Sequence, residues 1–134
     1  MRLKKIQQTA QAVLDALDCP EAELSILMVD DAQIAVLNRD YLHRHGPTNV
    51  IAFPMQAGEF SNLTPHLLGD VVISSETACR EALEAGIGMH VRITQLLVHG
   101  LLHLLGYDHE RSSAEARRME QKALELLTIL ADRH

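Results

Sequence analysis

The sequence predicts an α+β fold with a single domain, residues 1–134. In this domain about five helices pack on a small mixed sheet of three to four strands, which are mostly parallel with one antiparallel. The chain has 134 residues, 47% of them hydrophobic, which suits one domain with one core. Stretches of helical periodicity alternate with short apolar runs that are typical of strands. One helical stretch, residues 90–105, is apolar on nearly every side, so we expect it to be central, buried and, for the reasons below, metal-binding.

The first half of the chain alternates helix and strand. Residues 3–17 carry apolar side chains at helical spacing, and the proline at position 20 stops this helix. Residues 23–29 form a first strand, and Asp30 or Asp31 is expected to cap a second helix that ends at Gly46 and Pro47. Residues 49–53 form a second strand. The order strand, helix, strand favours a right-handed parallel crossover between the two strands.

The second half adds one strand and three helices. A polar loop, residues 56–65, leads to a third strand at 67–74, and the short connection favours antiparallel pairing with the second strand. Ser74 or Ser75 caps a helix that runs to Ala85, on which Glu76 and Glu81 are interpreted as ordinary surface charges. Residues 90–105 form the fourth helix. Ser112 and Glu115 fit a capping box for the last helix, which ends near residue 131.

Charge and cysteine usage limit the possible partners. The net charge is −6 with neutral histidines, so any contact with nucleic acid must use a local basic patch. One candidate is the loop 43–47, although a plain solvated loop explains these residues at least as well. Another is Arg111 with the basic residues of the last helix, Arg117, Arg118 and Lys122, although a solvated charged face explains that helix better. Two distant cysteines predict reduced thiols in a cytosolic protein. The apolar stretch 96–105 is too short to span a membrane.

Three histidines predict a metal site. His99, His103 and His109 lie at offsets of 0, 4 and 10, which is the spacing of the extended zincin motif. On a helix His99 and His103 share one face, and Gly106 allows the chain to turn and bring His109 back to the same ion. Three neutral imidazoles leave one position of a tetrahedral zinc site open, which is a catalytic arrangement. The alternative is three unrelated histidines on an apolar helix, and the spacing disfavours it.

The residue after the first histidine argues against peptide hydrolysis. A peptidase with this spacing has glutamate there as its general base, and this chain has Gly100. Asp108 or Glu110 could supply a base from elsewhere. Phosphodiester cleavage remains open, because a metal can polarise phosphoryl oxygens and supply hydroxide while a cation steadies the developing charge.

Residues 99–109 resemble the signature of the YbeY family, bacterial single-strand endoribonucleases of rRNA maturation. Further segments stand in the family's order and spacing over residues 30–130: Leu37-Asn38 with Tyr41, Pro47-Thr48-Asn49-Val50, Phe53-Pro54, Leu68-Gly69-Asp70-Val71 and Met119-Glu120. The resemblance implies one zinc ion held by His99, His103 and His109 at a cleft. It also implies a cytoplasmic role in 16S rRNA 3′-end maturation and ribosome quality control. The expected partners are single-stranded rRNA and the small subunit or its proteins, with no DNA and no membrane.

The chain departs from the family at three positions. Leu42 stands where the family usually has arginine, Asn49 where it has aspartate and Ala52 where it has serine. Catalytic residues beyond the metal ligands stay unassigned, with Arg39, Arg44 and Asp108 as candidates. Leu42 also keeps a second function open, a ribosome-associated zinc-binding protein with weak or no catalysis. A metalloprotease-like hydrolase is a third, which Gly100 disfavours.

Overall fold

The computed structural model describes residues 3–55, 66–107 and 112–132. The predicted loop at 56–65 and the motif residues Asp108, His109, Glu110 and Arg111 lie outside these ranges. The elements follow in the order α1 (Leu3–Ala16), β1 (Glu23–Val29), α2 (Asp31–Leu42), β2 (Val50–Pro54), β3 (Leu67–Ser74), α3 (Ser75–Ala85), α4 (Met89–Leu104) and α5 (Ser113–Asp132). The predicted α+β class and the number of helices are therefore confirmed.

The sheet of the described region has the strand order β1-β3-β2. The central strand β3 pairs in parallel with β1 and antiparallel with β2, so the predicted antiparallel pair is confirmed. The predicted parallel crossover from β1 to β2 is wrong, because β3 lies between these two strands. Val71, Val72 and Ile73 are buried on both faces of β3, and a strand that is apolar on both faces is most stable in the centre of a sheet.

Helices cover both faces of the sheet. On one face Val71 and Ile73 pack against Ile93 and Leu97 of α4, and on the other Val72 packs against Ile34 of α2. The far side of α4 packs against α1 and α5, in a cluster that includes Val13, Leu101, Leu102, Met119, Leu126 and Leu130. Helix α4 is therefore central. Its ends are more open, since Val91 and Leu105 are 40% and 38% exposed.

Short polar side chains begin α2, α3 and α5, as their positions in the sequence predict, whereas α4 begins at Gly88 without a side-chain cap. Asp30 is the cap of α2: its carboxylate accepts from the Gln33 N–H at 2.8 Å, and the Gln33 side chain accepts from the Asp30 N–H at 3.0 Å. Ser74 caps α3. The Ser112 hydroxyl accepts from the Glu115 N–H at 3.1 Å, while the Glu115 carboxylate forms an ion pair with Arg118.

A polar cluster around Asp31 joins the starts of α2 and α3. The Asp31 carboxylate accepts from the hydroxyls of Ser74 and Thr77, both at 2.6 Å, and pairs with Arg80 at 2.8 Å. The Asp31 N–H donates to the Glu76 carboxylate at 2.8 Å. Glu76 is exposed on the helix face, as the sequence predicts, but it also accepts a hydrogen bond from the first turn of the neighbouring helix, which the sequence does not predict. Sequence spacing cannot show a partner 45 residues away.

The same contacts set the charge state of Asp31. The hydrogen bonds from Ser74 and then Thr77, together with the Arg80 guanidinium, lower the pKa of the Asp31 carboxyl to about 2. These groups favour the ionised form over the neutral one. The cluster therefore holds α2 and α3 together with a charged carboxylate over most of the acid range.

In the described region no helix is long and apolar enough to cross a membrane. Cys19 and Cys79 are both free thiols, as their separation in the sequence predicts. Burial, with a smaller effect from Asp18, raises the pKa of the Cys19 thiol. The thiol is correspondingly less reactive as a nucleophile.

The Asp31 cluster predicts an acid-dependent loss of stability. Because the pKa is lower in the folded state than the ordinary 3.8, the contribution is complete above that value and disappears as the pH falls through about 2. Wild type and Asp31→Asn should therefore differ in unfolding free energy near neutral pH, and the difference should shrink between about pH 5 and about pH 2. Urea titrations at several pH values measure it. Asp40→Asn, on the exposed side of α2, is the matched control, and a constant Asp31→Asn difference would contradict the assignment.

Candidate metal-binding cleft

A cleft of about 520 Å³ lies between α4 and strand β2. Helix α4 contributes His99, Gly100 and His103 to it, and residues 48–52 with Pro54 line the opposite side. The end of α2 and the turn after α4 complete the lining with Leu42, Arg44, Gly106 and Tyr107. The cleft thus brings together the first two histidines of the motif and the segment around Asn49, which the sequence places about 50 residues earlier.

His99 and His103 lie one turn apart on α4 and both face the cleft. Their ring centroids are 4.8 Å apart with an angle of 72° between the ring planes. The predicted shared face is therefore observed. Within the described residues, no group of three or more His, Cys, Asp or Glu side chains forms a metal site. His109 is outside those residues, so the three-histidine site stays a prediction.

Helix α4 ends in a turn at a glycine, as the sequence predicts. Gly106 has a φ of +102°, its N–H donates to the His103 carbonyl at 3.0 Å, and the Tyr107 N–H donates to the Leu102 carbonyl at 3.1 Å. These two bonds form a Schellman motif, which requires a left-handed residue after the helix. The turn places Tyr107 in the lining of the cleft, two residues before His109.

At Gly100 helix α4 lies in close contact with the sheet. A Cβ atom at this position would lie 2.8 Å from Cγ1 of Val71 and 3.3 Å from Cγ2 of Val50. Val71 is fully buried in the central strand and cannot move aside without disturbing the core. A glutamate base of the peptidase type would have to enter this contact. The packing around Gly100 is therefore a steric argument against peptidase activity, in addition to the missing general base.

A polar bridge holds the start of β2 beside the cleft. The Asn49 side-chain amide donates to both oxygens of Glu81 at 3.3 Å, and Glu81 accepts from the Arg92 guanidinium at 3.0 and 2.9 Å. The interpretation of Glu81 as an ordinary surface charge is therefore wrong. It connects α3 to α4 and to β2, and no local spacing pattern could have revealed this. Asn49 suits the position in this chain because a carboxylate there would face the carboxylate of Glu81.

Asn38 holds the loop that carries Arg44. The buried Asn38 side chain donates to the Gly46 carbonyl at 2.9 Å, and its backbone carbonyl accepts from the Arg44 N–H at 3.2 Å. The sequence analysis assigns Asn38 no structural role. Its signals in the sequence are its place in the Leu37-Asn38 segment of the YbeY resemblance and its polar side chain among the apolar residues of α2. Its two bonds tie the loop back onto the helix and bring Arg44 to the cleft.

The basic residues that are candidates for binding phosphate lie in different positions relative to the cleft. Arg44 lines the cleft, whereas Arg39 pairs with Asp40 at 2.9 Å and is not among the lining residues. Leu42, at the position where the YbeY resemblance leads one to expect arginine, lines the cleft and is 42% exposed. Arg117, Arg118 and Lys122 lie on α5 outside the cleft lining, where Arg118 pairs with Glu115. The structure thus favours Arg44 over Arg39 as a cleft cation; Asp108 lies outside the described residues.

The fold and the cleft define an α+β protein with a histidine pair on its central helix. The same fold occurs in a Thermotoga maritima protein whose solution structure matches with a TM-score of 0.68, covering 98% of this chain and 82% of that one at 19% identity. At this identity the match shows the fold alone.

Sequence comparison shows the family. The family described as Endoribonuclease YbeY matches residues 1–131. Relatives of that name include a Syntrophotalea carbinolica protein, 54% identical over 97% of this chain and 87% of its own length. A Geobacter metallireducens protein is 51% identical over 94% and 85%, and an Aquifex aeolicus protein 41% identical over 90% and 79%. The chain belongs to the YbeY family.

The Gly100 contact predicts a specific packing defect. Gly100→Ala should lower the unfolding free energy by about 1–3 kcal/mol from overpacking against Val71, offset by up to about 1 kcal/mol of helix propensity. The cost should shrink in a Val71→Ala background, which opens the space. Urea denaturation of the single and double variants measures this coupling. Gly88→Ala is the control, because no atom lies within 4 Å of its Cβ position, and equal effects at both glycines would contradict the packing argument.

Proposed function

We propose that this protein is a metal-dependent endoribonuclease that cleaves single-stranded RNA in the cleft between α4 and β2. The observation that carries the proposal is the pair of histidines that line this cleft, His99 and His103. Support comes from the family, since its relatives bear the name Endoribonuclease YbeY. The absence of a peptidase base at Gly100 points in the same direction.

The donor chemistry of the cleft fits a zinc ion. Two imidazoles whose centroids are 4.8 Å apart can direct one nitrogen each toward a shared ion, and zinc prefers such ligands at about 2.0–2.1 Å. His109 is the proposed third ligand, on the strength of its spacing. When bound, zinc supplies Lewis-acid chemistry, acidifying water and neutralising charge on a phosphoryl group.

The residues of the chain itself would bind and orient the phosphate. Arg44 brings a positive charge to the cleft, and Asn38 fixes the loop that carries it. Local charge matters in this protein because the chain as a whole carries −6, which repels a polyanion at long range. Asp108 remains the candidate for proton transfer on the ground of its place in the motif alone.

We extend the proposal to the cellular role that the resemblance implies. The substrate would be 16S rRNA, cleaved during 3′-end maturation and ribosome quality control in the cytoplasm, with the small subunit or one of its proteins as partner. Family membership supports this extension.

A second function is favoured by one observation, the leucine at the cleft. With Leu42 in place of the family's arginine, the protein would bind RNA and zinc on the ribosome while cleaving weakly. This alternative can be tested at a single residue, because Leu42 lines the same cleft as the histidines.

Removal of a histidine tests the metal site. Loss of groups that merely orient a metal ligand costs roughly 10–100-fold in affinity or activity, so His103→Ala should lower RNA cleavage at least about 100-fold and reduce the zinc content of the purified protein. His90→Ala, on the same helix but outside the cleft lining, is the matched control. Metal analysis and cleavage of single-stranded RNA give the two measurements. Equal cleavage by wild type and His103→Ala would refute the proposal, and chelator-sensitive casein cleavage would favour a peptidase.

Restoring the missing cation separates the two functions. A charge-assisted hydrogen bond from a new guanidinium to phosphate should raise kcat/KM for Leu42→Arg about tenfold or more if the wild type is limited by this loss. Leu42→Gln, of similar length and uncharged, is the control. A wild type that is already fast and unaffected by the substitution would rule out the weakly catalytic alternative.

A further inference from the structure

The register of β2 determines which backbone groups face the cleft. At one end of the strand the Asn49 carbonyl accepts from the Ser74 N–H at 2.9 Å, and at the other the Met55 N–H donates to the Leu68 carbonyl at 3.0 Å. In an antiparallel pair the bonding residues alternate, so Asn49, Ile51, Phe53 and Met55 direct their N–H and C=O groups toward β3. Val50 and Ala52 direct their N–H and C=O groups, and Pro54 its C=O group, to the opposite side.

That opposite side is the outer edge of the sheet, and it borders the histidine cleft. Among the residues that the structure describes, strand β2 is the last strand in the order β1-β3-β2, and Val50, Ala52 and Pro54 all line the cleft with His99 and His103. The edge therefore offers two N–H donors, from Val50 and Ala52, about 6.7 Å apart along the strand. The carbonyl groups of Val50 and Ala52 point to the same edge, so N–H and C=O groups alternate along it.

We propose that the outer edge of β2 binds the ribose-phosphate backbone of RNA. The N–H groups of Val50 and Ala52 donate to phosphate oxygens, and the carbonyls of the same residues accept from ribose 2′-hydroxyls. The inference rests on the proposed nuclease function and assigns its substrate contacts. Neutral backbone donors suit a chain with a net charge of −6, because they bind an anion without needing a basic surface.

The alternation of donors and acceptors favours RNA over two other occupants. Along an RNA strand phosphates, which only accept, alternate with 2′-hydroxyls, which can donate, and DNA lacks the hydroxyls. A peptide added as a further strand would need the N–H series to continue, but Pro54 has no N–H to offer. The strand is also short, with five residues. The edge therefore suits a sugar-phosphate backbone better than a peptide.

A proline substitution tests the inference with little change elsewhere. Ala52→Pro removes an N–H that points away from β3, so the ladder bonds of the sheet are retained. We expect RNA binding and kcat/KM to fall about tenfold or more, as for the loss of one hydrogen bond to a charged group. Val36→Ala, at an exposed residue of α2 outside the cleft lining, is the control, expected to stay within about threefold of wild type.

A backbone ester covers the case in which the proline variant does not fold. Lactic acid in place of Ala52 replaces only the N–H by oxygen and keeps the methyl group, and it should produce the same loss. An ester at Met55 is its control, because the Met55 N–H donates to the Leu68 carbonyl in β3. The carbonyl that this ester weakens belongs to Pro54, which makes none of the proposed contacts, so the ester should lower stability more than RNA binding. Circular dichroism and unfolding midpoints confirm that each protein is folded.

Modified oligonucleotides test the carbonyls. Binding of a short labelled RNA is measured at low temperature, with product analysis to show that it stays intact, and compared with 2′-fluoro RNA and DNA of the same sequence. Wild type should bind both of these about tenfold more weakly, because they lack the 2′ donor. Equal affinity for RNA and 2′-fluoro RNA would overturn the carbonyl contacts.

The outcomes separate this inference from the proposed function. If wild type cleaves RNA and the folded Ala52 proline and ester variants bind and cleave equally well, the edge contact is refuted while the nuclease stands. If wild type binds RNA without cleaving it, the nuclease proposal fails, and a loss of binding in the ester still supports the edge contact. Binding of an extended peptide that is blocked by Ala52→Pro, with no competition from RNA, would overturn the inference in favour of a peptide partner.

Discussion

The close contact between Gly100 and Val71 is the constraint on which the rest of the cleft depends. It lets the backbone of α4 lie directly on the central strand, since even a methyl group at this position would come within 2.8 Å of the valine. The histidines on either side, His99 and His103, are thereby held close to the edge strand. The missing side chain of Gly100 thus brings the two histidines close to the edge strand and at the same time leaves the position of a peptidase base empty.

The polar networks maintain this arrangement from outside the core. Glu81 and Arg92 connect α3 to α4 and hold Asn49, the residue at which the chain enters β2. Asn38 performs the same task for the loop of Arg44. Asn49 and the loop of Arg44 are therefore each held by a hydrogen bond to a helix. These bonds explain how segments next to a short strand can form an ordered surface.

Local signals predicted much of this structure from the sequence. The course of α4, its termination at Gly106 and the capping serine of α3 follow from periodicity and from caps that involve neighbouring residues. The pairing of β1 with β3 does not follow from such local signals. The order of the strands in the sequence favours a crossover from β1 to β2, and only the burial of both faces of β3 explains why β3 lies between them. The role of Glu81 was also missed. Its partners lie 11 and 32 residues away, on other elements, where no spacing rule applies.

The bridge from Asn49 to Glu81 has a consequence for the charge of the cleft. The YbeY resemblance leads one to expect an arginine at position 42 and an aspartate at position 49, a pair whose charges cancel. This chain has Leu42 and Asn49, both in the lining of the same cleft, so one positive and one negative charge are absent together. The formal charge of the cleft lining is therefore the same as with that pair, and it rests on fewer ionised groups, so the potential in the cleft depends less on ionic strength.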